Sequence, residues 1–143
     1  MENDTVRLLR ECNAGIKMGE DAIKKVLPLA KNEKLRESLE VCKNTHAALG
    51  DETHELLARH NADTKDPHPV ARMMSGMKIR TKMMMHKTDN AIADVMTDGC
   101  DMGIKSLSRY LNEYKNADKE SRSVAKRLIA SEEYLENRIR DFL

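Results

Sequence analysis

The sequence predicts an all-α domain, an up-down-up-down four-helix bundle of two antiparallel helical hairpins with an additional Met-rich crossover helix. Three observations predict it. Apolar residues recur every three or four positions along most of the chain, the period of an amphipathic helix. Only 6 Gly and 3 Pro punctuate the 143 residues, too few for a many-stranded β fold. Leu, Ala, Lys, Glu, Arg and Met dominate, and all are good helix formers. The length suits one domain with its own core, residues 1–143.

The first helix has Asp4 or Thr5 as its cap. Its inward positions are Leu9, Cys12, Ile16, Ile23, Leu27 and Ala30, with Asn13 and Glu20 on the same face. Pro28 bends this helix or marks its last turn. Lys31-Asn32-Glu33 is a tight joint, so the second helix, about Glu33 to Asn61, returns antiparallel to the first. Its stripe reads Leu35, Leu39, Cys42, His46, Leu49 and Leu56. The run Asn61 to Pro69 holds two prolines within three residues and breaks the helical pattern. A third helix, about Val70 to His86, turns Val70, Met73 or Met74, Met77, Thr81, and Met84 or Met85 inward.

Thr88 or Asp89 caps the fourth helix, about Asn90 to Tyr114, with Ala93, Met96, Cys100, Ile104, Leu107, Leu111 and Tyr114 in one stripe. Gly99 and Gly103 lie inside it. An interior glycine costs roughly 1 kcal/mol of helix stability, so close packing against a neighbouring helix is expected in return. After a turn at Asn116-Ala117-Asp118, the last helix runs from about Lys119 to Phe142, with Val124, Leu128, Ser131, Leu135, Ile139 and Phe142 inward. The two hairpins form a weak internal repeat. Gly19 to Lys24 lies over Cys100 to Lys105, and His46 lies over Glu132.

Composition excludes several function classes. A net charge of +1 with 34% charged residues offers no one-sided basic surface for nucleic acid. Aromatics at 3% and no Trp argue against base-stacking platforms. No apolar run reaches the ~18 residues of a membrane span, and the N-terminal Met-Glu-Asn-Asp-Thr is not a signal peptide. Cys12, Cys42 and Cys100 are odd in number and widely spaced, which is no disulfide framework. A reduced, cytoplasmic setting is expected. No P-loop, dinucleotide fingerprint, nucleophile elbow or EF-hand loop is present.

The candidate site centres on His46, an imidazole inside an apolar stripe, with Cys42 one turn before it. A buried imidazole without a partner costs on the order of 1–3 kcal/mol. Glu20, near the centre of the first helix's stripe, is the expected partner. Glu20, His46, Asp101 and Glu132 together supply four donors of the kind that hold iron, zinc or manganese. Cys42 reads most simply as a small buried apolar residue. His54, His60, His68 and His86 fall toward helix ends and loops and read as surface histidines. Of the crowded Met73, Met74, Met77, Met83, Met84 and Met85, those on the stripe read first as core packing, and any left exposed suit an adaptable interface, for a homo-oligomer or a protein partner.

Three stretches carry a resemblance: Asn3 to Leu9, Gly50 to Leu57, and most specifically Asp98 to Asn112. Together they resemble an uncharacterised bacterial family of ferritin-like four-helix bundles, common in anaerobic gut Firmicutes. The resemblance covers essentially the whole chain and implies a ferritin-like fold. Ferritin-like di-iron proteins place a Glu on each of two helices and Glu-x-x-His on each of the other two. This chain has no Glu-x-x-His, since Lys43 and Ile129 stand three before His46 and Glu132. A standard di-iron centre is therefore not expected. Two functions are expected instead. The first is a non-catalytic bundle acting by helix-mediated self-association or partner binding, in a setting such as stress handling. The second is a metal-binding bundle with a reduced carboxylate and histidine site.

Overall fold

The computed structural model describes residues 3–64, 79, 82–83 and 86–143. Four long helices hold most of them: α1 (Asp4–Val26), α2 (Glu33–Arg59), α3 (Asp89–Glu113) and α4 (Lys119–Ile139). Single 3-10 turns at Leu27–Leu29 and Arg140–Phe142 extend α1 and α4. Pro28 sits in the first of these turns, where it ends α1.

Each helix opens on a side-chain cap that accepts from otherwise orphaned backbone N–H groups, one each at Asn3, Thr88 and Asp118 and two at Asn32. Asn3 takes the role expected of Asp4 or Thr5, because those two are engaged elsewhere. Asp4 Oδ2 accepts from the Asn116 N–H at 3.1 Å, and Thr5 Oγ1 accepts from the Asp118 N–H at 2.8 Å. At the opposite end of the bundle, the Asp89 carboxylate accepts the backbone N–H groups of Lys31 and Asn32 at 2.8 and 2.9 Å.

These contacts set the helix directions. The start of α1 lies against the α3–α4 turn, and the α1–α2 turn lies against the start of α3. The order is therefore up-down-down-up, which corrects the expected up-down-up-down. The connection from α2 to α3 leaves one end of the bundle and re-enters at the other, so α2 and α3 run the same way. The Met-rich helix expected over Val70 to His86 falls largely outside the described residues. Of its members, Ile79 and Met83 are buried one turn apart, off the expected stripe through Thr81, and Lys82 pairs with Asp94 of α3.

Packing follows the hairpins. α1 lies against α2, α3 against α4, and α2 against α4 across the middle. The apolar interior comes in two parts. One holds Ile23, Val26, Leu35, Leu39, Cys42, Cys100, Leu135 and Ile139. The other holds Leu9, Cys12, Ile16, Leu49, Leu107, Val124 and Leu128. On every helix the boundary falls at one turn: between Ile16 and Ile23, Cys42 and Leu49, Cys100 and Leu107, Leu128 and Leu135. Nearer the surface, Arg127 of α4 grips Glu52 of α2 with both guanidinium nitrogens, at 2.8 and 2.6 Å, and holds that carboxyl below its usual range. Both side chains are well exposed, so this second tie between α2 and α4 contributes about 0–1 kcal/mol.

Candidate functional site: a polar layer across the core

The turn that separates the two apolar halves carries Gly19 on α1, His46 on α2, Gly103 on α3 and Glu132 on α4. His46 is completely buried, at 0% exposure. Its Nε2 lies 3.0 Å from Glu132 Oε1, and its Nδ1 lies 2.9 Å from the backbone oxygen of Cys42, one turn earlier in α2. The ring can occupy this position only because α1 offers no side chain there. A Cβ on Gly19 would sit 2.7 Å from Nε2 and 2.8 Å from Cδ2 of His46. Gly103 does the same for Glu132 less tightly, with a Cβ placed 3.4 Å from the carboxyl carbon. Each hairpin thus contributes one polar side chain lying over a glycine of its own partner helix, and the two side chains meet at the centre.

The partners fix the protonation. A carbonyl oxygen only accepts, so Nδ1 carries a proton and donates it to Cys42. Nε2 then faces a carboxylate. Burial, the largest single influence, acts to lower the His46 pKa. Side-chain hydrogen bonding to Cys42 and then to Glu132, with the Glu132 charge, outweighs it and raises the pKa from 6.5 to about 10. The imidazolium donates at both nitrogens at neutral pH, and Glu132 carries the countercharge. Glu132 retains 13% side-chain exposure, so the ion pair is buried at its cationic end and touches solvent at its anionic end.

Two thiols flank the pair. Cys42 Sγ lies 3.6 Å from both His46 Nδ1 and Ser131 Oγ. Cys100 bonds to Glu132, and burial, followed by the Glu132 charge, pushes its thiol well above the usual range. Both cysteines are free and 1% exposed, which matches the expectation of Cys42 as packing. A nucleophilic Cys42 is disfavoured by the same geometry, because Nδ1 is committed to the backbone and no cleft opens on the sulfur.

Of the four expected ligands, the structure joins His46 and Glu132 and separates the other two. Glu20 was the expected partner of His46, and this is corrected. Glu20 follows Gly19 by about 100° around the helix, and its carboxylate lies beside Gly50 instead, 3.8 Å from where a Cβ would stand. Asp101 is exposed and bonds to Glu136, whose carboxyl is raised chiefly by that bond. No group of three or more His, Cys, Asp or Glu placed to hold a metal ion occurs among the described residues. His54 is exposed yet reaches inward, its Nε2 lying 2.7 Å from Oδ1 of the buried Asn13. His60 lies 3.8 Å from Asp118, His86 is exposed, and His68 falls outside the described residues.

The residue that sequence reasoning missed is Gly19, the tighter of the two glycines facing the pair. Gly103 was expected to pack closely and does, whereas none of the described residues comes within 4 Å of a Cβ at Gly99. Gly19 served only to align the repeat, although Gly15-x3-Gly19 and Gly99-x3-Gly103 are the same spacing on the two equivalent helices. Matching them shifts the internal repeat by three residues from the alignment of Gly19 with Cys100.

Two outcomes follow. Gly19→Ala should destabilise the chain by about 1–3 kcal/mol through overpacking against the ring. Gly15→Ala, with nothing within 4 Å of the new methyl, should stabilise it by roughly 0.5–1 kcal/mol. Urea unfolding of both checks this, and equal effects would refute the close approach. The second outcome concerns pH. The folded chain keeps the His46 proton between pH 6.5 and about 10, where the unfolded chain has released it. The pair's contribution is therefore full below pH 6.5 and is lost as pH rises toward 10. Cys12, raised by burial and then by Glu11 to about 12, and Cys100 act in the same direction only above their ordinary 9.0. Denaturation between pH 6.5 and 9 should show stability declining in the native chain and a flatter profile in His46→Gln; matching profiles would refute the assignment. Comparisons with protein-family models, with curated proteins and with solved structures found no match.

Proposed function

We propose that this chain is a non-catalytic, ferritin-like helical bundle that acts through its surface, by self-association or by docking a protein partner, with a proton-bearing ion pair where a ferritin-like bundle carries metal. The observation that supports this reading is the pair of glycines. A ferritin-like metal centre draws a carboxylate from each of two helices to meet the Glu-x-x-His ligands of the other two. In this chain α1 and α3 present Gly19 and Gly103 to that layer, and α2 and α4 present one donor group each, already bonded to one another. Two antiparallel hairpins with one long connection are also the ferritin-like arrangement. For the surface role, Val41 on α2 and Met102 on α3 are large apolar side chains left in solvent, at 41% and 63% exposure.

One observation favours the metal-binding alternative. Nδ1 of His46 donates to a backbone carbonyl while Nε2 faces a carboxylate, which is how metal-ligating histidines are commonly oriented. The two readings separate by metal analysis. Protein purified without chelator and then offered iron(II), zinc(II) or manganese(II) should retain no stoichiometric metal. Stoichiometric metal that is lost in both His46→Ala and Glu132→Gln would replace the proposal with the alternative. Light scattering should show a mass that rises with concentration, and a strict monomer at all concentrations would remove self-association.

A further inference from the structure

The outer face of α4 carries a second feature that the core does not explain. Lys119, Arg122, Ser123, Lys126, Arg127 and Ala130 line a groove of about 530 Å³ that is open to solvent. Four of the six lining side chains are cationic, one is a hydroxyl, and none is a carboxylate. Glu52 neutralises Arg127, which leaves Lys119, Arg122 and Lys126 as three cations on this face of a chain whose net charge is +1. Two of the cations are anchored. Arg122 donates to the Leu111 carbonyl at 3.1 Å, and Arg127 is held by Glu52 and also donates to Ser123 Oγ at 3.1 Å. Lys119 and Lys126 are exposed and pair with no carboxylate among the described residues. The strip runs from residue 119 to 130, roughly 16 Å at 1.5 Å per residue.

The chemistry of the lining narrows the partner. Nothing larger than Ala130 is apolar, so the groove holds no pocket for the anchor residues of a docking helix. No aromatic lines it, so bases would find no stacking surface. What remains is repeated negative charge along a line, met by the flexible ammonium groups of Lys119 and Lys126 on either side of the anchored Arg122 guanidinium. Guanidinium groups match phosphate oxygens well, and lysine serves as an adaptable point charge. We propose that this face of α4 binds a linear inorganic polyphosphate chain along the helix. The site is separate from the core pair, so the presence or absence of a core metal does not bear on it.

The test is binding of polyphosphate of defined length to the full chain by titration calorimetry, at a series of salt concentrations. The native chain should bind at about 50 mM salt, with log K falling linearly against log salt. Lys119→Glu/Lys126→Glu should bind about tenfold or more weakly. Lys34→Glu/Lys43→Glu, the same charge change on exposed residues of α2, should bind within about twofold of the native chain. Lys119→Gln and Lys126→Gln, measured singly and checked by circular dichroism melting, keep the test open should the double variant not fold. Two competitors of matched charge, oligo-deoxythymidine and poly-glutamate, should bind more weakly than polyphosphate. The proposal is overturned by no binding at low salt, by strip and control variants behaving alike, or by either competitor binding as tightly as polyphosphate.

Discussion

The bond between His46 and Glu132 is the constraint around which the rest of this bundle is arranged. It joins the second helix of one hairpin to the second helix of the other, at the layer that separates the two apolar clusters. A buried charge is tolerated only when it is paired and its remaining hydrogen bonds are met. Both conditions hold: the imidazolium spends one proton on Glu132 and the other on the Cys42 carbonyl. Removing one member would strand the other in a site with little water, at a cost of about 3–5 kcal/mol. Buried ion pairs as a class nonetheless add little net stability.

The glycines are the other half of the same constraint. An imidazole at the centre of a four-helix bundle needs room, and leucine-sized neighbours would take it. Gly19 yields that room on α1 and Gly103 on α3, at the expense of helix propensity in both. The arrangement is two-fold in its geometry and asymmetric in its chemistry, with a base on one side and an acid on the other. That asymmetry lets the two equivalent positions bond directly. Two carboxylates in the same places would repel and invite a cation between them. Here the positive charge is built into the chain.

Much of the fold was legible in the sequence. The stripes Leu35-Leu39-Cys42-His46-Leu49 and Val124-Leu128-Ser131-Leu135-Ile139 are the buried faces of α2 and α4. The junctions at Asn32, Thr88 and Asp118 are caps, since those side chains have accepting oxygens at the right offset. Helix direction was not legible, because periodicity carries no sign along the axis. It is set by long-range contacts such as Asp89 with the Lys31 and Asn32 backbone. The partner of His46 was misread for a similar reason. Glu20 looked central on a wheel, but a wheel gives no distance to the neighbouring helix, and Gly19 makes the approach. Glu132 was matched to His46 by the repeat and counted among the four donors, but not as the partner of the ring. A side chain long enough to reach inward from the edge is what a central imidazole needs.

The most direct test of the central claim is the protonation state of His46, read from nitrogen chemical shifts of its ring in an isotope-labelled sample. Both nitrogens should stay protonated across the neutral and mildly alkaline range, with the Nε2 proton in a hydrogen bond to Glu132 and both signals titrating at lower pH in Glu132→Gln. A single protonated nitrogen at neutral pH, or a titration near the ordinary 6.5 in the native chain, would contradict it.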